Sequence, residues 1–107
     1  MGQPHTHGSW RVKPGREDDF VAAWREMASW SNDQFGEVGG ARLLQDQKDP
    51  TRFYSVGSWP SNEAIEAWRA HPEFRQHIAA IEDLIESFTI DTLELRAEVG
   101  EFCAVAA

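Results

Sequence analysis

The stretch GSWPSNEAIEAWRAHPEFRQH, Gly57 to His77, gathers two tryptophans, a phenylalanine and two histidines into a short span. Histidine exchanges a proton near neutral pH, and the aromatic side chains offer flat apolar faces. Together they suit one chemistry: a histidine base takes a proton from a weakly acidic aromatic molecule held in a pocket sheltered from water. His77 recurs with Phe74, Ile78 and Ile81 at helical spacing, which predicts an inward direction, toward Trp59 at the end of a strand. His77 is therefore the expected base, with Trp59 beside it. His71 stands before Pro72 and is expected to cap a helix at the pocket rim. Trp68, Phe74 and Trp24 are expected as aromatic walls, and His7 as a further lining residue. Core packing accounts for the same aromatic side chains, so the chemical role is an expectation beside a structural one.

Other groupings carry less. His5 and His7 stand two apart on a strand and share a face, but no third ligand accompanies them, and no metal site is expected. Asp18–Asp19 and Glu82–Asp83 fall on solvated helix faces. Ser9, Ser55 and Ser58 lack the histidine and acid of a nucleophile triad. FGEVGG leads into a strand and not a helix, so it cannot cradle a phosphate.

The bulk numbers narrow the partners. Acidic residues number 18 against 10 basic ones, a net charge of -8, with the basic residues scattered. That balance opposes binding to nucleic acid or to an anionic membrane surface. No apolar run approaches the roughly 20 residues that span a bilayer, and MGQPHTHGSW has neither the basic start nor the apolar centre of a signal peptide. A cytoplasmic location is expected. Cys103, the single cysteine, lies in a small-residue tail and is expected to be an incidental thiol.

The elements that must position these residues read as strand, helix, strand, strand, helix, strand. A first strand over about Thr6 to Lys13 ends at Pro14-Gly15. REDDFVAAWREMASW spaces Phe20, Val21, Trp24, Met27 and Ala28 as one helix face and predicts a helix from about Glu17 to Trp30. ARLLQDQ and RFYSVGSW form a hairpin across the turn DQKDPT. Ser61 caps the next helix, and Pro72 divides it. In the second segment Phe74, His77, Ile78, Ile81, Leu84, Ile85 and Phe88 form one stripe. The last strand is TIDTLELRAEV, with Leu93, Leu95, Ala97 and Val99 on one face. Residues 5–99 make one domain and residues 100–107 a tail. Helices on one face of a four-stranded antiparallel sheet give a ferredoxin-like βαββαβ fold of the α+β class. The other sheet face carries Leu44, Tyr54 and Val56, too apolar for a solvated face, so a second copy is expected to cover it.

The order of elements, the length, and YSVGSWPSNEAIEAWRAHPEFRQH resemble the antibiotic biosynthesis monooxygenase domain of the dimeric α/β-barrel superfamily. The similarity runs from about Thr6 to Val99. It implies a homodimer with a pocket between sheet and helices in each subunit. It also implies relatives that oxygenate aromatic polyketides with no metal or flavin, and others that degrade haem. Trp59 matches the pocket tryptophan of the anthrone-type oxygenases. Ser55, which shares with Phe53, Gly57 and Trp59 the row expected to face the helices and is expected to bind substrate, stands where those relatives have asparagine, and Ile65 where they have tyrosine. Trp68 matches the helix tryptophan of the haem-degrading branch, whose ligand histidine falls on Ile78. The resemblance thus implies a cofactor-independent monooxygenase acting with molecular oxygen on a small aromatic, polyketide-like or quinol substrate. A non-catalytic barrel that binds a small hydrophobic ligand, and a cyclase or isomerase on the same fold, are the alternatives.

Overall fold

The computed structural model of the protein describes residues 2–35 and 40–100. The expected tail with Cys103, and most of FGEVGG, lie outside the described residues. The elements are β1 (Pro4–Val12), α1 (Glu17–Gln34), β2 (Ala41–Gln45), β3 (Arg52–Ser58), α2 (Asn62–Ala70), α3 (Pro72–Glu82) and β4 (Ile85–Glu94). The strands form one antiparallel sheet in the order β2-β3-β1-β4, so the fold is ferredoxin-like as the element order predicts.

Alternation along β1 sets the two faces. Thr6, Trp10 and Val12 are buried at 9%, 2% and 0% exposure, while His5, His7, Ser9 and Arg11 between them are only half-buried. On β3 the same period buries Phe53 against the helices and turns Tyr54 the other way. The core forms where Trp10 meets Phe20 of α1 at 5.4 Å and Phe88 of β4 at 5.2 Å, with Phe20 on Phe53 at 5.0 Å. A second cluster of Trp59, Ile65 and Trp68 joins β3 to α2.

Local chemistry starts and stops the helices. Glu17, Asp18 and Asp19 occupy the first turn of α1, where negative charge meets the positive end of the helix dipole. The Ser61 hydroxyl accepts the Ala64 N–H at 3.1 Å at the head of α2. His71 Nδ1 accepts the Glu73 N–H at 3.0 Å, which caps α3 with Pro72 as its first residue. In the β2–β3 turn, Asp49 accepts the Thr51 hydroxyl at 2.6 Å and the Thr51 N–H at 3.1 Å. Those bonds, the hydroxyl first, hold its carboxyl below the ordinary value.

Three boundaries depart from the sequence reading, and one is the end of β4 at Glu94, which leaves Leu95, Ala97 and Val99 beyond the strand. Helix α1 runs a turn beyond Trp30, to Gln34, which brings Ser31 and Asn32 over the sheet. Helix α3 stops at Glu82, so Ile85 and Phe88 belong to β4 and not to a helical stripe. The segment Ile85–Thr92 is rich in Ile, Phe and Thr, a register shift opposite Arg11 and Val12 lets Ile85 and Phe88 share one face, and strand pairing with β1 satisfies its backbone. Trp10 pairs directly with Phe88 in that register. As a result Ile90 faces the helices, whereas Leu93 lies 49% exposed on the opposite face and Val99 is 85% exposed. No helix among the described residues is long and apolar enough to cross a membrane.

Phe20 is fully buried at the junction of α1 and the sheet. Phe20→Ala should lower the unfolding free energy by about 3–5 kcal/mol, against a change within about 0.5 kcal/mol for exposed Glu66→Ala. Denaturant unfolding of both variants checks this.

Candidate active site

Between α1 and the sheet lies a cavity of about 600 Å³, counting the part open to solvent. Strands β1 and β3 supply its floor, where Gly57 leaves room next to the backbone and Gly8 makes way for Trp10 and Ser55. Trp24, Met27 and Ala28 of α1 roof it, and Trp59 with Trp68 close one end. The walls are largely apolar. Among the described residues, none of the side chains lining it is Asp, Glu, His, Lys, Arg, Tyr or Cys.

The polar atoms of this cavity are organised around its tryptophans. Burying an indole N–H without a partner costs about 1–3 kcal/mol, and three are matched by hydroxyls. Trp10 Nε1 donates to Ser55 Oγ at 3.0 Å, and Trp59 Nε1 donates to Thr6 Oγ1 at 3.0 Å. Trp68 Nε1 donates to Ser31 Oγ at 2.8 Å, and that hydroxyl donates onward to the Met27 carbonyl at 2.7 Å. Trp10, Trp59 and Trp68 therefore present ring surface, not N–H groups, to anything in the cavity. Trp59 is also held from the backbone: its N–H donates to the Pro4 carbonyl at 3.0 Å, and Gln3 Nε2 donates to its carbonyl at 3.3 Å.

The expected site residues divide. Trp59, Trp68, Trp24 and Ser55 line the cavity. Phe74 stands behind Trp68, with ring centres 4.4 Å apart, and supports the wall without lining it. His71 packs edge-on against Trp30 at 5.0 Å and Phe35 at 6.1 Å, outside the lining, and Phe35 in turn touches Trp59 at 6.3 Å. Its Nδ1 is occupied by the cap bond, so the neutral ring carries its proton on Nε2 and has no free lone pair for a base.

His77 and His7 sit elsewhere than expected. His77 is tilted against Trp30 at 5.4 Å in the seam between α3 and α1. Its Nε2 is buried without a hydrogen-bond partner, as is Trp30 Nε1, and the nearest carboxylate oxygen, from Glu73, is 4.0 Å away. The reason is geometric. Helix α3 packs on α1 as well as on the sheet, so an inward-facing residue of α3 can meet a helix instead of the cavity. His7 lies on the opposite sheet face, stacked on Tyr54 at 6.1 Å, because β1 alternation gives Thr6 and Gly8 to the cavity. Among the described residues no cluster of three His, Cys, Asp or Glu side chains is placed to hold a metal ion.

Thr6, Trp10, Ser31 and Asn32 line the cavity and escape the sequence reading. A usable signal exists for Trp10. Gly-Ser-Trp occurs twice, at Gly8–Trp10 and Gly57–Trp59, so the reasoning that singles out Trp59 applies equally to its counterpart.

A ferredoxin-like sheet with helices on one face and an apolar, tryptophan-walled cavity between them defines an α+β domain with one concave apolar face. Residues 5–80 match the family described as antibiotic biosynthesis monooxygenase, and the chain belongs to that family. Comparison with curated proteins finds no match. Among solved structures, the fold is similar to a variant of SnoaB, a cofactor-independent oxygenase from Streptomyces nogalater. The TM-score is 0.84 at 19% identity, covering 94% of this chain and 100% of that one. It is also similar to candidate antibiotic biosynthesis monooxygenases from Chloroflexus aurantiacus (TM-score 0.74, 24% identity, 92% and 97% covered) and Deinococcus radiodurans (0.78, 17%, 92% and 97%).

The Trp68–Ser31 bond is open to a double-mutant cycle. Ser31→Ala should cost about 1–3 kcal/mol by stranding a buried indole N–H, and much of that cost should vanish in a Trp68→Phe background. Additive losses in thermal unfolding would show that the bond contributes nothing.

Proposed function

We propose that this protein is a cofactor-independent monooxygenase acting on a small aromatic, quinol-like or polyketide-like substrate. The observation that carries the reading is the cavity: flat, tryptophan-walled, and free of titratable side chains among its described lining. Family membership and the fold shared with SnoaB, itself a cofactor-independent oxygenase, support it.

The chemistry asks little of such a site. A ring methylene between two aryl rings and conjugated through them to the carbonyl across the ring loses a proton, and the carbanion transfers one electron to oxygen. The substrate radical and superoxide combine through a new C–O bond, and the peroxide then loses water across its O–O bond. In balance, one ring methylene and one dioxygen become one ring carbonyl and one water. One oxygen atom ends in the product and the other in that water. Apolar walls favour both the ring and dioxygen, and the Thr6 and Ser55 hydroxyls are placed to donate to developing oxygen charge.

The expected histidine base does not fit this geometry, since His77 faces Trp30 and His71 has its lone pair engaged. In our reading the substrate supplies its own acidity through delocalisation over the rings, and the proton leaves through the open mouth to water. Trp59, Trp68 and Trp24 hold the ring.

We also assign the open sheet face to a homodimer. Leu44, Leu93 and Val56 stand 57%, 49% and 39% exposed there, and Tyr54 and His7 lie stacked between them. An apolar face of this kind is a site of association.

Oxygen-electrode assays with anthrone on metal-free protein should show consumption of one dioxygen per substrate. His77→Ala and His71→Ala should stay within about threefold of the parent. The rate should rise with pH through the substrate's ionisation, without levelling near the histidine value of about 6.5. A loss of roughly 100-fold in His77→Ala with unchanged melting would restore the histidine base. If anthrone and hydroquinones bind without oxygen uptake, the non-catalytic reading replaces the enzyme.

Sedimentation equilibrium at micromolar concentration should give a dimer that Leu44→Asp or Val56→Asp converts to monomer. A clean monomer in the parent protein would overturn the assignment.

A further inference from the structure

Gly57 lies in β3, an inner strand of the sheet, and none of the structural reasons for a glycine in a strand applies to it. Among the described residues the positive φ angles belong to Gly15, Gly40 and Gly100, not to Gly57. It sits in no bulge: it pairs with Thr6 of β1 on one side and with Ala41 of β2 on the other, in unbroken register. Nor is it crowded. A Cβ there would meet Ala41 Cβ and Thr6 Oγ1 at 3.5 Å and Trp59 Nε1 at 3.8 Å, all ordinary van der Waals contacts.

Gly8 is the contrast. It lines the same cavity, but a Cβ there would run into Ser55 Oγ and would meet Trp10 Nε1 at 2.6 Å, so the fold itself requires that glycine. A glycine weakens a strand, because it loses more backbone freedom on folding than alanine and has no side chain to pack. At Gly57 that weakening stands although alanine would fit. The remaining cause of a glycine in a strand is the close approach of another group to its backbone. Beyond its chain neighbours, no described atom comes nearer than 3.5 Å to the Cβ position, and the bare backbone faces the cavity. Thr6, Gly57 and Ala41 form one cross-strand row of that cavity's floor, buried at Thr6 and exposed at Ala41. With only a hydrogen at Gly57 and a methyl group at Ala41, the row is a shallow trough running inward from the exposed edge.

We infer that Gly57 is a specificity-determining residue of the cavity: a flat ligand lies with its ring face directly on the Gly57 backbone, and the missing Cβ admits its thickness. The inference rests on the reading of the cavity as the oxygenase site, and it adds where in the cavity the substrate lies. A ligand of several fused rings, too long to shift aside, depends on that bare backbone. A single ring does not.

Anaerobic equilibrium dialysis, with thermal unfolding beside it, tests this apart from turnover. Gly57→Ala should melt no lower than the parent, and up to about 8 °C higher. It should nevertheless bind anthrone about tenfold or more weakly, the effect of a methyl group forced into space the ligand fills. Phenol, one ring with room to shift in a cavity of about 600 Å³, should bind the variant and the parent alike. Gly8→Ala should melt below the parent, as its contacts require. Anthrone affinity unmoved in Gly57→Ala, or phenol and anthrone weakened equally, would overturn the inference. So would a Gly57→Ala protein that melts below the parent or fails to fold, since the glycine would then serve the fold. If oxygen uptake is absent in air while the dialysis pattern holds, the oxygenase reading alone falls. If the parent binds no anthrone, both fall.

Discussion

Partners for the buried indole N–H groups of Trp10, Trp59 and Trp68 organise this protein, with Trp30 as the exception. A chain of 107 residues with five tryptophans cannot bury its largest side chains at random. Each N–H left dry and unpaired removes a sizeable part of a marginal stability. Pairing Trp10 with Ser55 and Trp59 with Thr6 ties β1 to β3 through side chains as well as backbone. The Trp68–Ser31 bond does the same between α2 and α1. The extra turn of α1 beyond Trp30 is what brings Ser31 into reach.

The cavity follows from that pairing. Gly8 lies in close contact with its own strand's tryptophan, because Trp10 folds back over it, whereas Trp59 Nε1 stands 3.8 Å from the Cβ position of Gly57. Two tryptophans anchored at their polar edges leave their ring faces as walls, and the space between them stays open. The same bonds thus stabilise the fold and shape the cavity: the groups that would penalise burial are neutralised, and what remains is largely apolar surface. A site of this composition is suited to reactions in which the substrate brings the reactivity and the protein brings shape, dryness and a few directed donors.

Much of this is legible in the sequence. The element order, the Ser61 and His71 caps, and the inward directions of Trp59, Trp68, Trp24 and Ser55 follow from alternation, helical spacing and cap chemistry. What is not legible depends on tertiary packing. His77 lies on the inward side of α3, but periodicity alone does not say whether that side meets the sheet or α1, and here it meets Trp30. Ile85 and Phe88 continue the helical spacing by coincidence, and pairing with β1 outweighs it. Thr6 and Trp10 stay hidden because the repeated Gly-Ser-Trp gains its meaning only when the β1–β3 register sets Thr6 opposite Gly57 and Gly8 opposite Ser55.

The central claim is that oxygen chemistry takes place in this cavity without a cofactor. Labelling tests it most directly: turnover of anthrone under oxygen-18 gas by protein verified to be free of metal and flavin, with the product analysed by mass spectrometry. The account predicts one labelled atom in the newly formed carbonyl, and loss of that product when Trp59→Ala opens the wall. Product formed only after metal or flavin is added, or carrying oxygen from water in place of the label, would contradict it.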